Sequence, residues 1–230
     1  MSGGASRSSR LRPWLAALVL ATALPLGIAG AQPGSTEPGV DAGLEQGEIT
    51  PHPSIAVGET NDGALIYGVR LAAAGKNFFT WDPVRRRVPN RPWRRWTADG
   101  TLAIILRVLA RFRAAHPGTP RIGIADLSRP QGGKFGRRFG GLGHASHQNG
   151  LDADVLYPRT DRRERWAKHP SQINRSLAQD LVRRFVRAGA EYVFVGPRTG
   201  LKGPKRIVQR LVHHDDHMHV RFPPALGAPG

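Results

Sequence analysis

Gly143-His144-Ala145-Ser146-His147-Gln148-Asn149-Gly150-Leu151-Asp152-Ala153-Asp154-Val155-Leu156-Tyr157 is the stretch from which the rest of the chain can be read. Its second half, from Asp152 to Tyr157, is patterned as a strand. Asp152 and Asp154 share one face, while Ala153 and Val155 form the opposite, apolar one. A matching pattern lies about sixty residues on, in His213-His214-Asp215-Asp216-His217-Met218-His219 followed by Val220-Arg221-Phe222. There His217 and His219 project together and Met218 turns the other way. Six of the nine histidines fall in these two clusters, and only the fold can bring the clusters together. If the two strands are neighbours, Asp154, His217 and His219 converge, and His147 on its glycine-flanked turn closes the set. Two imidazoles and a carboxylate suit Zn²⁺ with a fourth position left for water, the arrangement of a catalytic site. An imidazole outside the metal shell can accept the water's proton, and another can stabilise an oxyanion. Asp152, Asp215 and Asp216 read equally well as carboxylates that fix imidazole tautomers or as solvated turn residues.

Outward from these strands, Leu65–Leu71 reads as a strand and Arg121–Ala125 as another. Leu102, Ile105, Leu106, Leu109 and Phe112 repeat at helical spacing, with Thr97 or Asp99 as cap and His116-Pro117-Gly118 as stop. A second amphipathic helix carries Ile173, Leu177, Leu181, Val182 and Phe185 and closes at Gly189. Tyr192–Val195 reads as a buried strand and the stretch around Arg206–Val212 as a short helix. Phe78–Trp96 and 128–143 read as long basic loops, the first bearing aromatics and the second glycine-rich. Strands and helices do not alternate regularly. The expected fold is therefore α+β, a small mainly antiparallel sheet flanked by helices, with a zinc site on the sheet.

The chain has 230 residues and a formal net charge of +17, from 34 Lys and Arg against 17 Asp and Glu. That length suits one domain with accessories. It contains no cysteine, which excludes disulfide scaffolds, thiolate metal sites and cysteine nucleophiles. Residues 1–31 read as a signal peptide: Arg7, Arg10 and Arg12 precede an apolar run from Trp14 to Ile28 and a small-residue site at Ala29-Gly30-Ala31. The competing reading is a membrane anchor, but the run is about fifteen residues and broken by Pro25, short of the roughly 20 that span a bilayer. Residues 32–53 read as a Pro- and Gly-rich linker, 54–223 as the functional domain and 224–230 as a short tail. A basic exported protein, periplasmic or in the cell wall, suits anionic polymers.

At the two histidine clusters the sequence resembles the penicillin-insensitive murein endopeptidases, within the lysostaphin, D-Ala-D-Ala and hedgehog-type group of zinc metallopeptidases. The resemblance runs from about Ser54 to Phe222 and includes Asp126-Leu127-Ser128-Arg129-Pro130-Gln131-Gly132-Gly133. It implies a zinc enzyme that cleaves peptidoglycan cross-links at D-alanyl–diaminopimelyl amide bonds. His147, Asp154 and His219 would be the zinc ligands, His217 the general base, and His214 a helper that holds the water or stabilises the oxyanion. His144 lies in the same motif and could bind metal, contact substrate or order its loop. The absence of cysteine and the arginine-rich loops depart from the family pattern. Those arginines either grip anionic wall polymers or keep the protein soluble.

Two other classes compete. A catalytically weak wall-binding protein would use the basic aromatic loops, with Trp93 and Trp96 as contacts, but every residue of the motif is present. A nucleic-acid-binding protein is compatible with the charge, but no reading motif is found and an export signal makes DNA an odd partner.

Overall fold

Strand-forming stretches of alternating character need a partner on each edge and a layer over the apolar face. Two helices supply that layer here. A computed structural model describes residues 53–136 and 144–224, and its described elements are two α-helices, ten short strands and two 3₁₀ turns. The expected signal segment and most of the linker and tail lie outside these residues, as does the 137–143 part of the glycine-rich loop.

The principal sheet has six strands: β4 (Phe78–Thr80), β6 (Ile122–Ile124), β7 (Asp152–Leu156), β10 (His217–Arg221), β8 (Tyr192–Val195) and β9 (Val208–Arg210), in that spatial order. The three central pairings are antiparallel and the two edge pairings are parallel. The sheet is thus mixed but mainly antiparallel. The two central strands are the histidine and aspartate strands, paired with His219 opposite Asp154 and Arg221 opposite Asp152.

Helices α1 (Asp99–Ala115) and α2 (Arg175–Arg187) cover one face of the sheet. Ala153, Val155, Met218 and Val220 point into this layer and are fully buried with Leu109, Phe112, Leu181 and Phe185. The period-two pattern therefore divides the two strands as expected, with a core on one side and polar chemistry on the other. Two small accessory sheets complete the described fold, the hairpin of β1 (Ile55–Glu59) with β2 (Asp62–Ile66), and β3 (Val69–Arg70) with β5 (Trp96–Thr97).

Several local expectations need correction. Leu65–Leu71 is not one strand, because Tyr67 adopts a φ of 53° and separates β2 from β3. Helix α1 is capped by neither Thr97 nor Asp99. Its N-cap is Ala98, and the Ser54 hydroxyl accepts from the Asp99 N–H at 3.1 Å. Helix α2 begins after Ile173, with Asn174 Oδ1 accepting from Leu177 N. The stretch near Arg206–Val212 contains β9, a three-residue strand held by parallel pairing to β8. Phe78–Trp96 is no simple loop either, since it contains β4 and a 3₁₀ turn at Pro92–Arg94.

The β1–β2 hairpin fastens the turn that carries His147. Gln148 donates through N to Thr60 O and through Nε2 to Asn61 O, and Asn149 Nδ2 donates to Gly58 O. From the other side, Gly133 N donates to Gln148 O. Gly132 lies so close, with φ of 71°, that a Cβ there would stand 2.0 Å from Gln148 O.

Candidate metal centre

His147 sits just before β7 with a φ of 69°, a left-handed conformation uncommon for a residue with a Cβ. Three contacts hold it there. Its N–H donates to Asp152 Oδ2 at 2.9 Å, its carbonyl accepts from Ser128 Oγ at 2.6 Å, and its Nδ1 donates to Leu127 O at 2.7 Å. With Nδ1 occupied, the lone pair is on Nε2. That atom is buried and has no hydrogen-bond partner, and it faces Asp154 Oδ1 at 3.3 Å.

The same division recurs around Asp154. His219 donates through Nε2 to Asp152 Oδ1 at 3.0 Å and places Nδ1 3.1 Å from Asp154 Oδ1. His217 donates through Nδ1 to Asp216 Oδ1 at 2.6 Å and places Nε2 3.6 Å from Asp154 Oδ1. His144 donates through Nε2 to Asp126 Oδ2 at 2.7 Å and leaves Nδ1 3.9 Å from Asp154 Oδ2. His214 donates through Nδ1 to Val212 O, and its ring lies 4.8 Å from that of His217 between centroids. An outward partner thus holds a proton on one nitrogen of each ring, and for four of the rings the second nitrogen faces one carboxylate. This is the usual way a fold orients imidazoles for a metal.

Ligand atoms of His144, His147 and Asp154 lie within 4.8 Å of one another, a grouping that could hold a metal ion. His219 joins the cluster, its ring centroid 4.7 Å from that of His147. An orphaned, fully buried imidazole nitrogen beside a carboxylate fits a divalent cation well, because either alone is costly to bury. Burial works to raise the Asp154 carboxyl, yet the surrounding imidazoles hold it well below the ordinary carboxylate range. Burial likewise opposes charge on His219, but the Asp152 carboxylate beside it pushes that imidazole up to about 9. His147 moves the other way, its burial outweighing the pull of Asp154.

Asp152 accepts from His147, His219 and Arg221 and is fully buried, so it is a tautomer-fixing group and not a solvated turn residue. Asp216 does the same for His217. Asp215 instead accepts from Arg198 N and Nε and holds the turn before β10. His213 is exposed, with φ of 64°, on the rim.

In the sequence Arg94 is one of several arginines of the basic 78–96 loop and Asp126 part of a motif, and nothing there marks the two as partners. Arg94 is fully buried, bonded bidentately to Asp126 with Nε to Oδ1 at 2.6 Å, and lies against the adjoining rings of Trp93 and Phe135, 5.0 Å from each centroid. Asp126 passes this contact to His144 and also accepts from Asn90. Burial would raise its carboxyl, but Arg94 and His144 bring it down to about 2. A lone acid at the end of an apolar strand was the available signal.

The cluster opens on a cleft of about 790 Å³ whose walls include Asn61, Trp81, Trp166, Phe194 and Val212. That is room for a peptide and more than a bare ion needs.

A sequence profile for penicillin-insensitive murein endopeptidases matches residues 56–191. The chain belongs to that family. Murein endopeptidases named as penicillin-insensitive from Salmonella arizonae, Salmonella paratyphi B and Salmonella newport are similar to it at 32%, 31% and 31% identity over 131 residues, 56% of this chain. The aligned stretch spans 40% of the length of these curated relatives. The family match takes in His144, His147 and Asp154 and ends before His217 and His219, which the β7–β10 pairing brings to the same point.

Proposed function

We propose that the chain is an exported, periplasmic or wall-located, zinc-dependent peptidoglycan endopeptidase that hydrolyses D-alanyl–diaminopimelyl cross-links. The observation that carries this reading is the convergence of imidazoles on Asp154 at the floor of a peptide-sized cleft, in a member of a murein endopeptidase family.

His147 through Nε2, Asp154, and His219 through Nδ1 are the proposed zinc ligands. Zinc binding requires the Nδ1 proton of His219 to leave, and the Asp152 carboxylate on Nε2 keeps the ring basic and oriented. His144 is the remaining candidate ligand. When bound, the cation supplies a Lewis acid that acidifies water to near neutrality and polarises the scissile carbonyl.

His217 is the proposed general base. Its Nδ1–H is held by Asp216, so Nε2 faces the cleft as the acceptor and can return the proton to the leaving amine. His214 has its proton on Nδ1, bonded to Val212 O, and burial pushes its imidazole down to about 4. It is therefore an acceptor at Nε2, suited to holding the attacking water and less to stabilising an oxyanion. Exposed Arg85 and Arg87 provide the cationic surface for anionic wall polymers, whereas Arg94 and Arg95 are buried and Arg91 is paired with Asp82.

Purified protein incubated with cross-linked muropeptides should convert dimers to monomers, with activity lost to a chelator and restored by zinc. His147→Ala and His219→Ala should each abolish both turnover and stoichiometric zinc. Full activity in both variants would overturn the ligand set, and zinc-independent adhesion to wall without product would favour a binding role.

A further inference from the structure

Arg86 lines the same cleft as the imidazole cluster, on a turn built to present it. Asp82, fully buried, accepts from Val84 N at 3.0 Å and Arg85 N at 2.9 Å, and its own N–H donates to Arg87 O at 2.8 Å. Within this turn Arg86 adopts a φ of 53°, a left-handed backbone that arginine does not favour and that the surrounding contacts must hold. Its guanidinium lies 5.2 Å from the centroid of Trp166, which stacks on Trp81 at 6.4 Å and 28°. Trp81 is in turn packed on Phe79, Ala125 and Leu156. All three of Arg86, Trp81 and Trp166 line the same cleft as His217 and His219.

The other arginine lining the cleft, Arg221, is tied to Asp152. Arg86 has the Trp166 face as its partner and, among the described residues, no carboxylate within ion-pair distance. Contact with an indole face leaves a guanidinium's in-plane N–H donors available, and these match a carboxylate in two parallel bonds.

We propose that Arg86, backed by Trp166, is the specificity-determining contact of the cleft and selects peptides by a free carboxylate at a distance from the bond that is cut. This rests on the peptidase reading for the identity of the ligand, but its test does not depend on turnover.

The probe is a monomeric muropeptide, used as the free acid and with its carboxylates amidated, and binding is measured by calorimetry on the zinc-loaded protein. The parent protein should bind the acid roughly tenfold more tightly than the amide. Arg86→Ala should bring that ratio near one and Trp166→Ala should reduce it. Arg107→Ala, which removes the same charge from the exposed face of α1, should leave the ratio unchanged. Equal binding of acid and amide by the parent, or a ratio that survives in Arg86→Ala, overturns the proposal. A ratio that falls as far in Arg107→Ala overturns it too, in favour of general electrostatics. Failure to cleave cross-linked dimers would defeat the peptidase reading alone, since the binding ratio would still be measured.

Discussion

Asp152 shows how a single side chain can decide what its neighbours do. Its oxygens receive the His147 amide, the His219 ring and the Arg221 guanidinium, so one carboxylate fixes both a strained backbone and the ring of a proposed ligand. Replacing it by asparagine keeps the shape and removes the charge. Asp152→Asn should lower zinc affinity by about 10–100-fold, read by competition with a chromophoric chelator. Unchanged affinity would reduce Asp152 to a purely structural role. Arg94 offers a second case. Arg94→Met leaves the Asp126 carboxylate buried without its cation, and should cost about 3–5 kcal/mol in urea unfolding. The histidines were legible because ring nitrogens and carboxylates at strand spacing have few other uses. Arg94 was not, because it stands in a run of arginines and such runs are usually solvated. Only the tertiary fold separates the buried Arg94 and Arg95 from the exposed Arg85, Arg86 and Arg87.

At the level of elements, β7 and β10 were readable because polar and buried apolar residues alternate through β10 and through β7 as far as Val155. β9 was not. Ile207, Val208, Leu211 and Val212 recur at helical spacing, yet the backbone of Val208–Arg210 pairs with β8, and partnership outweighs local periodicity. The break at Tyr67 had its signal only in the following glycine. Helix packing supplies a pH-dependent test. His116, at the end of α1, donates through Nε2 to Asp180 of α2, and Arg184 bonds the same carboxylate. Burial would raise the Asp180 carboxyl, but these two partners bring it down to about 2. The stabilisation is therefore present above the unfolded carboxylate value of about 3.9 and is lost as pH falls toward 2. Asp180→Asn should lower unfolding free energy by about 1 kcal/mol at pH 6, with the gap narrowing steadily below pH 4. A gap that is constant across that range would show that the loss is one of packing and not of charge.

Across the whole molecule, a net charge of +17, or +14 without the three arginines of residues 1–31, would govern the proposed encounter with an anionic wall. Retention on isolated sacculi should weaken steeply as salt is raised from roughly 50 to 500 mM, because the Debye length shrinks below the separation of surface charges. Hydrolysis of a small soluble muropeptide dimer should change much less over the same range. If both fall together, the cationic surface acts inside the cleft and not in wall adhesion. The antiparallel core, the helical layer and the polar face could all be anticipated from apolar spacing. Which loop residues turn inward could not, because that depends on contacts such as Ser54 with α1, forty-five positions apart.

The small hairpin of β1 and β2 brings no histidine, yet its turn grips Gln148 and Asn149 immediately behind His147. A recombinant fragment trimmed to start at β3 would retain all five imidazoles and Asp154, and the whole six-stranded sheet, while losing the clamp that holds the first of the proposed ligands in place. Shortening this protein from its front should therefore extinguish zinc retention well before it removes any of the proposed ligands.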